Sequence, residues 1–151
     1  DISVLGIKIG MTKEKCKQII SKEFDRTPIE LIKNFISFEA IRVGSDIYKS
    51  LSMDFINNKI HAISLESDFD DQNTLIDFMD NHNNYFSNKY GLRNNISSEE
   101  TSDIVYRYGY SPYNPDDALM VMVVSPGVNG HKFLLTLTYY LTNEQPEIGG
   151  L

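Results

Sequence analysis

Between Leu51 and Leu65 the chain alternates. Leu51, Met53 and Phe55 are apolar, and Ser50, Ser52 and Asp54 between them are polar. A period of two sends successive side chains to opposite faces of a pleated strand, so this stretch reads as a half-buried strand with one inner face. Asn57-Asn58-Lys59 follows, and because asparagine tolerates left-handed backbone angles a hairpin is predicted there. With all three residues in the loop, Met53 faces Ile63 and Leu51 faces Leu65; a two-residue loop opposes Leu51 to Ser64 instead. The three-residue register is preferred, since it keeps the apolar pairs on one face. A chain containing such a hairpin must build a sheet and find something to cover its inner side.

Helical periodicity supplies the cover. In GIKIGMTKEKC, residues 6–16, Thr12 is suited to cap a helix whose positive end favours Glu14. Met11 and Cys16 have the spacing of a hydrophobic staple, and Gly10 lets the chain turn into the cap. Cys16, Ile19, Ile20 and Phe24 then form one apolar stripe, so the segment is a strand-to-helix corner. A second, short helix is predicted at Thr27-Pro28-Ile29-Glu30, where a capping box coincides with proline at the first helical position; Ile29, Ile32 and Ile36 would face inward. Strands occupy Ser37 to Ser67, and the acidic stretch Glu66 to Gln72 should end them. A long helix follows with Leu75, Met79, His82, Phe86 and Tyr90 on one stripe and Gly91 as a left-handed cap. Asn94 to Ser102 reads as loop. Strands are then predicted near Ile104 to Tyr110, Leu119 to Ser125 and Lys132 to Leu141, with Phe133, Leu135, Leu137, Tyr139 and Leu141 inward and a hairpin loop at Pro126 to Gly130.

The order is helix and three strands, twice. It predicts the α+β class: a two-layer sandwich with helices on one face of a mostly antiparallel sheet, divisible into two α-β-β-β halves near 1–70 and 71–142. One domain over 1–142 and a loose tail at 143–151 are expected, and no residue-by-residue repeat accompanies the halves. The second face of the sheet is left to solvent or to a partner.

Charge narrows the partners. A net charge of -7 leaves little to neutralise phosphates, and the densest basic run, Lys13, Lys15 and Lys17, is interrupted by Glu14. Nucleic acid and anionic membrane surfaces are therefore disfavoured. One cysteine, Cys16, permits no internal disulfide and no cysteine-based metal site, and its place on the apolar stripe reads as core. No apolar run approaches the roughly 20 residues of a membrane-spanning helix. The sequence begins at Asp1, as a mature chain does after signal-peptide removal; an expression boundary gives the same start.

Leu5-Gly6-Ile7-Lys8-Ile9-Gly10-Met11-Thr12-Lys13-Glu14 resembles the "Gly, apolar, Gly-Met-Ser/Thr, acidic" helix start of the β-lactamase-inhibitor-protein-like superfamily, which includes small outer-membrane-assembly lipoproteins. Lys89-Tyr90-Gly91, closing a helix that strands follow, is similar to a pattern in uncharacterised secreted proteins of gut Bacteroidetes. The resemblance implies a fold and an extracytoplasmic location, periplasmic, secreted or lipid-anchored. It brings no catalytic residues. Position 1 is Asp where the lipoproteins carry their lipidated cysteine, so lipid anchoring requires a trimmed cysteine before Asp1, and free secretion follows otherwise.

No catalytic set is legible. His82 sits on the apolar stripe and reads as a core or boundary residue. His61 would face Asp54 only in the two-residue register, giving a pair suited to general-base work, and no motif places a nucleophile beside it. His131 lies in a turn. Asp68, Asp70 and Asp71 resemble the start of a calcium loop, but Asn73 and Met79 stand where that loop needs Gly and Glu, so an acidic helix start is preferred. No metal site, phosphate loop or cofactor is indicated. What stands out is aromatic: Tyr106, Tyr108 and Tyr110 alternate, Tyr113 lies in the Pro112 to Pro115 loop, and Tyr140 follows Thr136 and Thr138. Such tyrosines form either a contact surface or half-buried sheet packing. The expected function is an extracytoplasmic binding or protein-interaction module, not an enzyme, with another envelope protein as partner. The alternatives are a small hydrolase using His61 and Asp54, and a structural subunit that associates with itself.

Overall fold

The computed structural model describes residues 3–111, 116–126 and 133–141. Its elements are β1 (Ser3–Val4), β2 (Ile7–Lys8), α1 (Lys13–Phe24), β3 (Phe35–Val43), β4 (Asp46–Ile56), β5 (Lys59–Phe69), α2 (Gln72–Tyr90), β6 (Leu92–Ser97), β7 (Ile104–Tyr108), β8 (Met120–Pro126) and β9 (Phe133–Tyr140). The class is α+β. Strands β3 to β9 make one seven-stranded sheet in the order β3-β4-β5-β9-β8-β7-β6, antiparallel throughout, and β1 with β2 makes a separate two-stranded ribbon.

Register sorts the sheet's side chains into two kinds of row. Phe38, Leu51, Leu65, Leu137, Met122 and Tyr106 are successive cross-strand partners, all buried or packed against the core. The adjacent row runs Ser37, Ser52, Ser64, Thr138, Val121, Arg107 and Asn94. Pleating puts neighbouring rows on opposite faces, so the first row is core and the second is not. Within the second, the Ser64 and Thr138 hydroxyls share a hydrogen bond of 2.9 Å.

The preferred hairpin pairings, Leu51 with Leu65 and Met53 with Ile63, are present. The means differs from the three-residue loop. Asn57 and Asn58 alone make the turn, at φ of 51° and 60°, and Ile56 pairs with Lys59. Two left-handed residues give the turn whose twist matches the flanking strands. Phe55 then pairs with Ile60 and Asp54 with Ala62, so His61 is the extra residue of a β-bulge, and that bulge restores the apolar register. A second irregularity, at Ala40 (φ 55°), moves burial from Ile36 and Phe38 to Ile41, and on β4 from Leu51 to Tyr48.

The corner before α1 forms as expected. Thr12 Oγ1 accepts from the Lys15 amide at 3.3 Å, Gly10 turns at φ 86°, and Ile60 N–H donates to the Met11 carbonyl, fastening the corner to β5. Cys16 and Ile20 are fully buried, and burial pushes the Cys16 thiol up to about 12, which makes it a packing residue. Helix α2 starts at Asp71, whose carboxylate accepts from the Asn73 and Thr74 amides.

Four expectations are corrected. Residues Thr27 to Ile36 form no helix: Ile29 exchanges two backbone hydrogen bonds with Ser37, at 2.8 and 3.0 Å, and lies along the outer edge of β3, while Ile32 is exposed. Arg26 Nε, donating to the Ala40 carbonyl, covers the same edge. The acidic run does not end β5 at Ser67, because Lys49 on β4 pairs with both Glu66 and Asp68 and lets the strand reach Phe69. Part of the supposed loop after Asn94 is β6, an edge strand exposed at every position, so the second half carries four strands. Gly91 caps α2 at φ 86° and ψ 122°, outside the left-handed helical region. The tail, the Pro126 to Gly130 turn beyond Pro126, and His131 lie outside the described residues.

Candidate functional site

Helix α2 brings His82, Tyr85, Phe86, Lys89 and Tyr90 to one side at helical spacing. Phe86 is buried, and its ring meets Tyr108 at 5.6 Å and Tyr139 at 6.3 Å. These contacts hold the helix's last two turns over the core rows of β7 and β9. Between α2, the β1 ribbon and the closed end of the β3-β4 hairpin lies a cleft of about 420 Å³. Ser3, Val4, Leu5 and Val43 line one side, Leu65, Leu137, Tyr48 and Tyr139 line its sheet side, and the five α2 residues with Asn81 line the other.

Polar groups gather at the rim. Asp46 is the first residue of β4, paired with Val43 across the hairpin turn. Its Oδ2 lies 3.0 Å from His82 Nε2, and His82 Nδ1 lies 2.8 Å from the Phe78 carbonyl. Both ring nitrogens thus face oxygen atoms. The imidazole stacks on Phe78 at 3.7 Å, which fixes its plane. Burial pushes the hydroxyls of Tyr48 and Tyr139 well above the ordinary tyrosine value; Asp46 adds to the first effect and Tyr90 to the second. They stay protonated and can donate.

Lys89 occupies the other end of the rim. Its ammonium lies 5.5 Å from the centre of the Tyr85 ring, 5.3 Å from that of Tyr90, and donates to Tyr85 Oη at 3.4 Å. Among the described residues it has no carboxylate partner, whereas Lys13, Lys17 and Lys49 are all paired with glutamates. An apolar cleft with a few convergent polar groups is the usual form of a small-molecule site.

The tyrosines singled out from sequence do not make one surface. Tyr106 and Tyr108 stand on the core side, stacked at 6.5 Å, and Tyr108 is fully buried with its hydroxyl donating to Asn83 Oδ1 at 2.8 Å. Tyr110 lies beyond the end of β7, is 64% exposed, and carries the Arg93 guanidinium over its ring at 4.5 Å. Tyr140 lies on the opposite side of the sheet, lining a shallow cleft with Val105, Arg107, Val121 and Val123. Tyr113 lies outside the described residues.

Asp54 and His61 come near each other through the bulge. Burial lowers the His61 value from 6.5 and Asp54 pulls it partly back; desolvation raises Asp54 from 3.8 and His61 partly offsets it. Asp54 is exposed by area, so its effect is the smaller one. Among the described residues no hydrogen bond joins the two, and neither lines the cleft beneath α2 or the cleft at Tyr140. Their opposite shifts have opposite consequences. The folded chain disfavours protonated His61, so stability present above pH 6.5 falls as the pH drops through the lowered folded value. A raised Asp54 stabilises at low pH, and that contribution is lost as the pH rises through its folded value. Melting temperatures across pH should therefore show His61→Gln flattening the decline below 6.5, and Asp54→Asn raising stability at neutral pH with the gain gone near 3.8. An unchanged acid slope in His61→Gln would contradict this placement.

Sequence reading missed the cleft because His82, Phe86 and Tyr90 fit a core stripe, and Tyr85 and Lys89 fall just beside it. The available signal was the pair of positions i+3 and i+7 from His82, both amphipathic and both on the same flank. Among the described residues no cluster of His, Cys, Asp and Glu could hold a metal ion, and no helix is long and apolar enough to cross a membrane. Comparison with family models, curated proteins and solved structures finds no match to the chain.

Proposed function

We propose that the protein is a non-catalytic binding module whose site is the cleft beneath α2. The observation that carries this reading is the cleft's composition: a largely apolar floor from three core strands, ring-bearing walls, and an Asp46–His82 pair and Lys89 at the rim. The fold is read as a two-layer sandwich, with α1 and α2 over the row of Phe38, Leu51, Leu65 and Leu137 and the Ser37 to Asn94 row on the side away from both helices. An extracytoplasmic setting is proposed on the resemblance of Leu5 to Glu14 to the β-lactamase-inhibitor-protein-like superfamily. That setting also supplies the kind of partner, an envelope component. The hydrolase alternative rests on the mutual electrostatic effect of Asp54 and His61 alone.

The test is occupancy. Val43 is partly buried at the lip of the cleft, so Val43→Trp should fill it without removing core atoms. The uncharged fluorophore N-phenyl-1-naphthylamine should bind the parent chain saturably at one site. Val43→Trp should abolish that binding and leave the melting temperature within a few degrees, about the shift that 1 kcal/mol produces in a domain of this size. Binding that survives in Val43→Trp, or its absence from the parent chain, defeats the reading.

A further inference from the structure

On the reading that the cleft is the binding site, we infer that its ligand is a small amphiphilic anion, with an apolar body between α2 and the sheet and an anionic head at Lys89. Three features lead there. The floor and walls, Leu65, Leu137, Tyr139 and Phe86 among them, offer a largely apolar surface to a ligand body, with the Tyr48 and Tyr139 hydroxyls as donors beside it.

The rim then sets the charge. At one end Asp46 Oδ2 lies 3.0 Å from His82 Nε2, and His82 Nδ1 faces a backbone carbonyl, so both ring nitrogens are taken up within the protein. At the other end Lys89 has, among the described residues, the Tyr85 and Tyr90 hydroxyls and ring faces as partners and no carboxylate, which leaves the ammonium one further donor to give. In a chain of net charge -7, a lysine beside an apolar cleft with no carboxylate partner among the described residues is the group that selects the head.

The position of Lys89 also fits a head rather than a second body. Tyr85 is 58% exposed and forms the outer wall, so a ligand extending toward Lys89 emerges into water where an anionic group keeps its remaining hydration. Tyr85 and Tyr90, held against the ammonium, orient it without neutralising it.

The experiment compares two fluorophores of nearly equal shape and different charge, 1-anilinonaphthalene-8-sulfonate and N-phenyl-1-naphthylamine, on four chains: parent, Lys89→Met, Val43→Trp, and Lys33→Met as a control for net charge. Lys89→Met should weaken the sulfonate about fivefold or more, a modest factor for an ion pair open to solvent, and leave the uncharged probe within about twofold. Lys33→Met should change neither, and added salt should weaken only the sulfonate. If Val43→Trp abolishes both probes while Lys89→Met leaves the sulfonate unchanged, the anionic head is wrong and the cleft stands. If Val43→Trp leaves both probes bound, the cleft itself is not the site and the inference falls with it.

Discussion

Replacing Tyr108 by alanine should remove about 3–5 kcal/mol of stability, the range for truncating a large buried aromatic side chain. Tyr108 is 0% exposed, and its ring lies between Tyr106 on one side and Phe86 of α2 on the other. The alanine variant would leave a cavity where α2 meets β7, and Asn83 would lose the hydroxyl that donates to it. Tyr108→Phe separates the two losses. It keeps the ring and gives up only the hydrogen bond, and because Asn83 Oδ1 also accepts from Ser87 Oγ, a cost of about 1 kcal/mol is expected. Tyr110→Ala is the matching control: a surface ring 64% exposed should change stability by no more than about 0.5 kcal/mol. Urea unfolding followed by circular dichroism reads all three. Equal effects at positions 108 and 110 would mean that β7 does not lie under α2.

The same contrast explains why tyrosine spacing misleads. Tyr106, Tyr108 and Tyr110 alternate perfectly, yet alternation says only that they share a face, not which face. The face is settled by partners far away in sequence: Tyr106 stands opposite Met122, which stands opposite Leu137, which stands opposite Leu65. Those pairings join strands from both halves of the chain. Nothing local to residues 104–110 carries that information, and Gly109 at φ 63° ends the alternation before Tyr110 in any case.

Where one local effect dominated, the sequence was readable. The Thr12 cap, the α1 stripe and the Leu51/Leu65 register each depend on a few residues whose alternatives are costly. The failures come from competition. A capping box with proline at Thr27 to Glu30 favours a helix by a small margin, whereas the bare outer edge of β3 offers Ile29 two backbone hydrogen bonds, and the edge won. Glu66 and Asp68 look like strand breakers until Lys49 is placed opposite them. In the hairpin both loop lengths were half right: a two-residue turn sets the twist and the bulge at His61 corrects the phase. That bulge is also what brings His61 near Asp54, a proximity that neither simple register predicts together with the apolar pairing. The cleft escaped for a related reason. It needs the left-handed residue at Ala40, which carries burial over to Tyr48 and so sets Tyr48 and Asp46 beneath α2, and an alanine gives no warning of that angle.

Gly109→Ala should cost about 2–3 kcal/mol, more than glycine-to-alanine changes usually do, and should also loosen the cleft. Two effects add. At φ 63° a side chain is strained by its own backbone, and the new methyl would lie 3.3 Å from Tyr90 Cβ and 3.4 Å from Leu119 Cβ, closer than ordinary packing. Gly109 N–H donates to the Gly91 carbonyl at 2.9 Å, so the end of α2 is tied to this point and cannot simply swing away. The relief available is a shift of Tyr90, and Tyr90 is a wall of the cleft and a support of Lys89. Binding of N-phenyl-1-naphthylamine and stability in urea should therefore be impaired together in Gly109→Ala, although residue 109 does not itself line the cleft. Gly44→Ala is the comparison. It has a similar φ of 61° but nothing within 4 Å of the added carbon, so it should carry the backbone cost alone and leave probe binding intact. If the two variants lose equal stability and Gly109→Ala binds the probe normally, α2 is not anchored through Tyr90, and the cleft's wall must be held by Phe86 and its ring contacts instead.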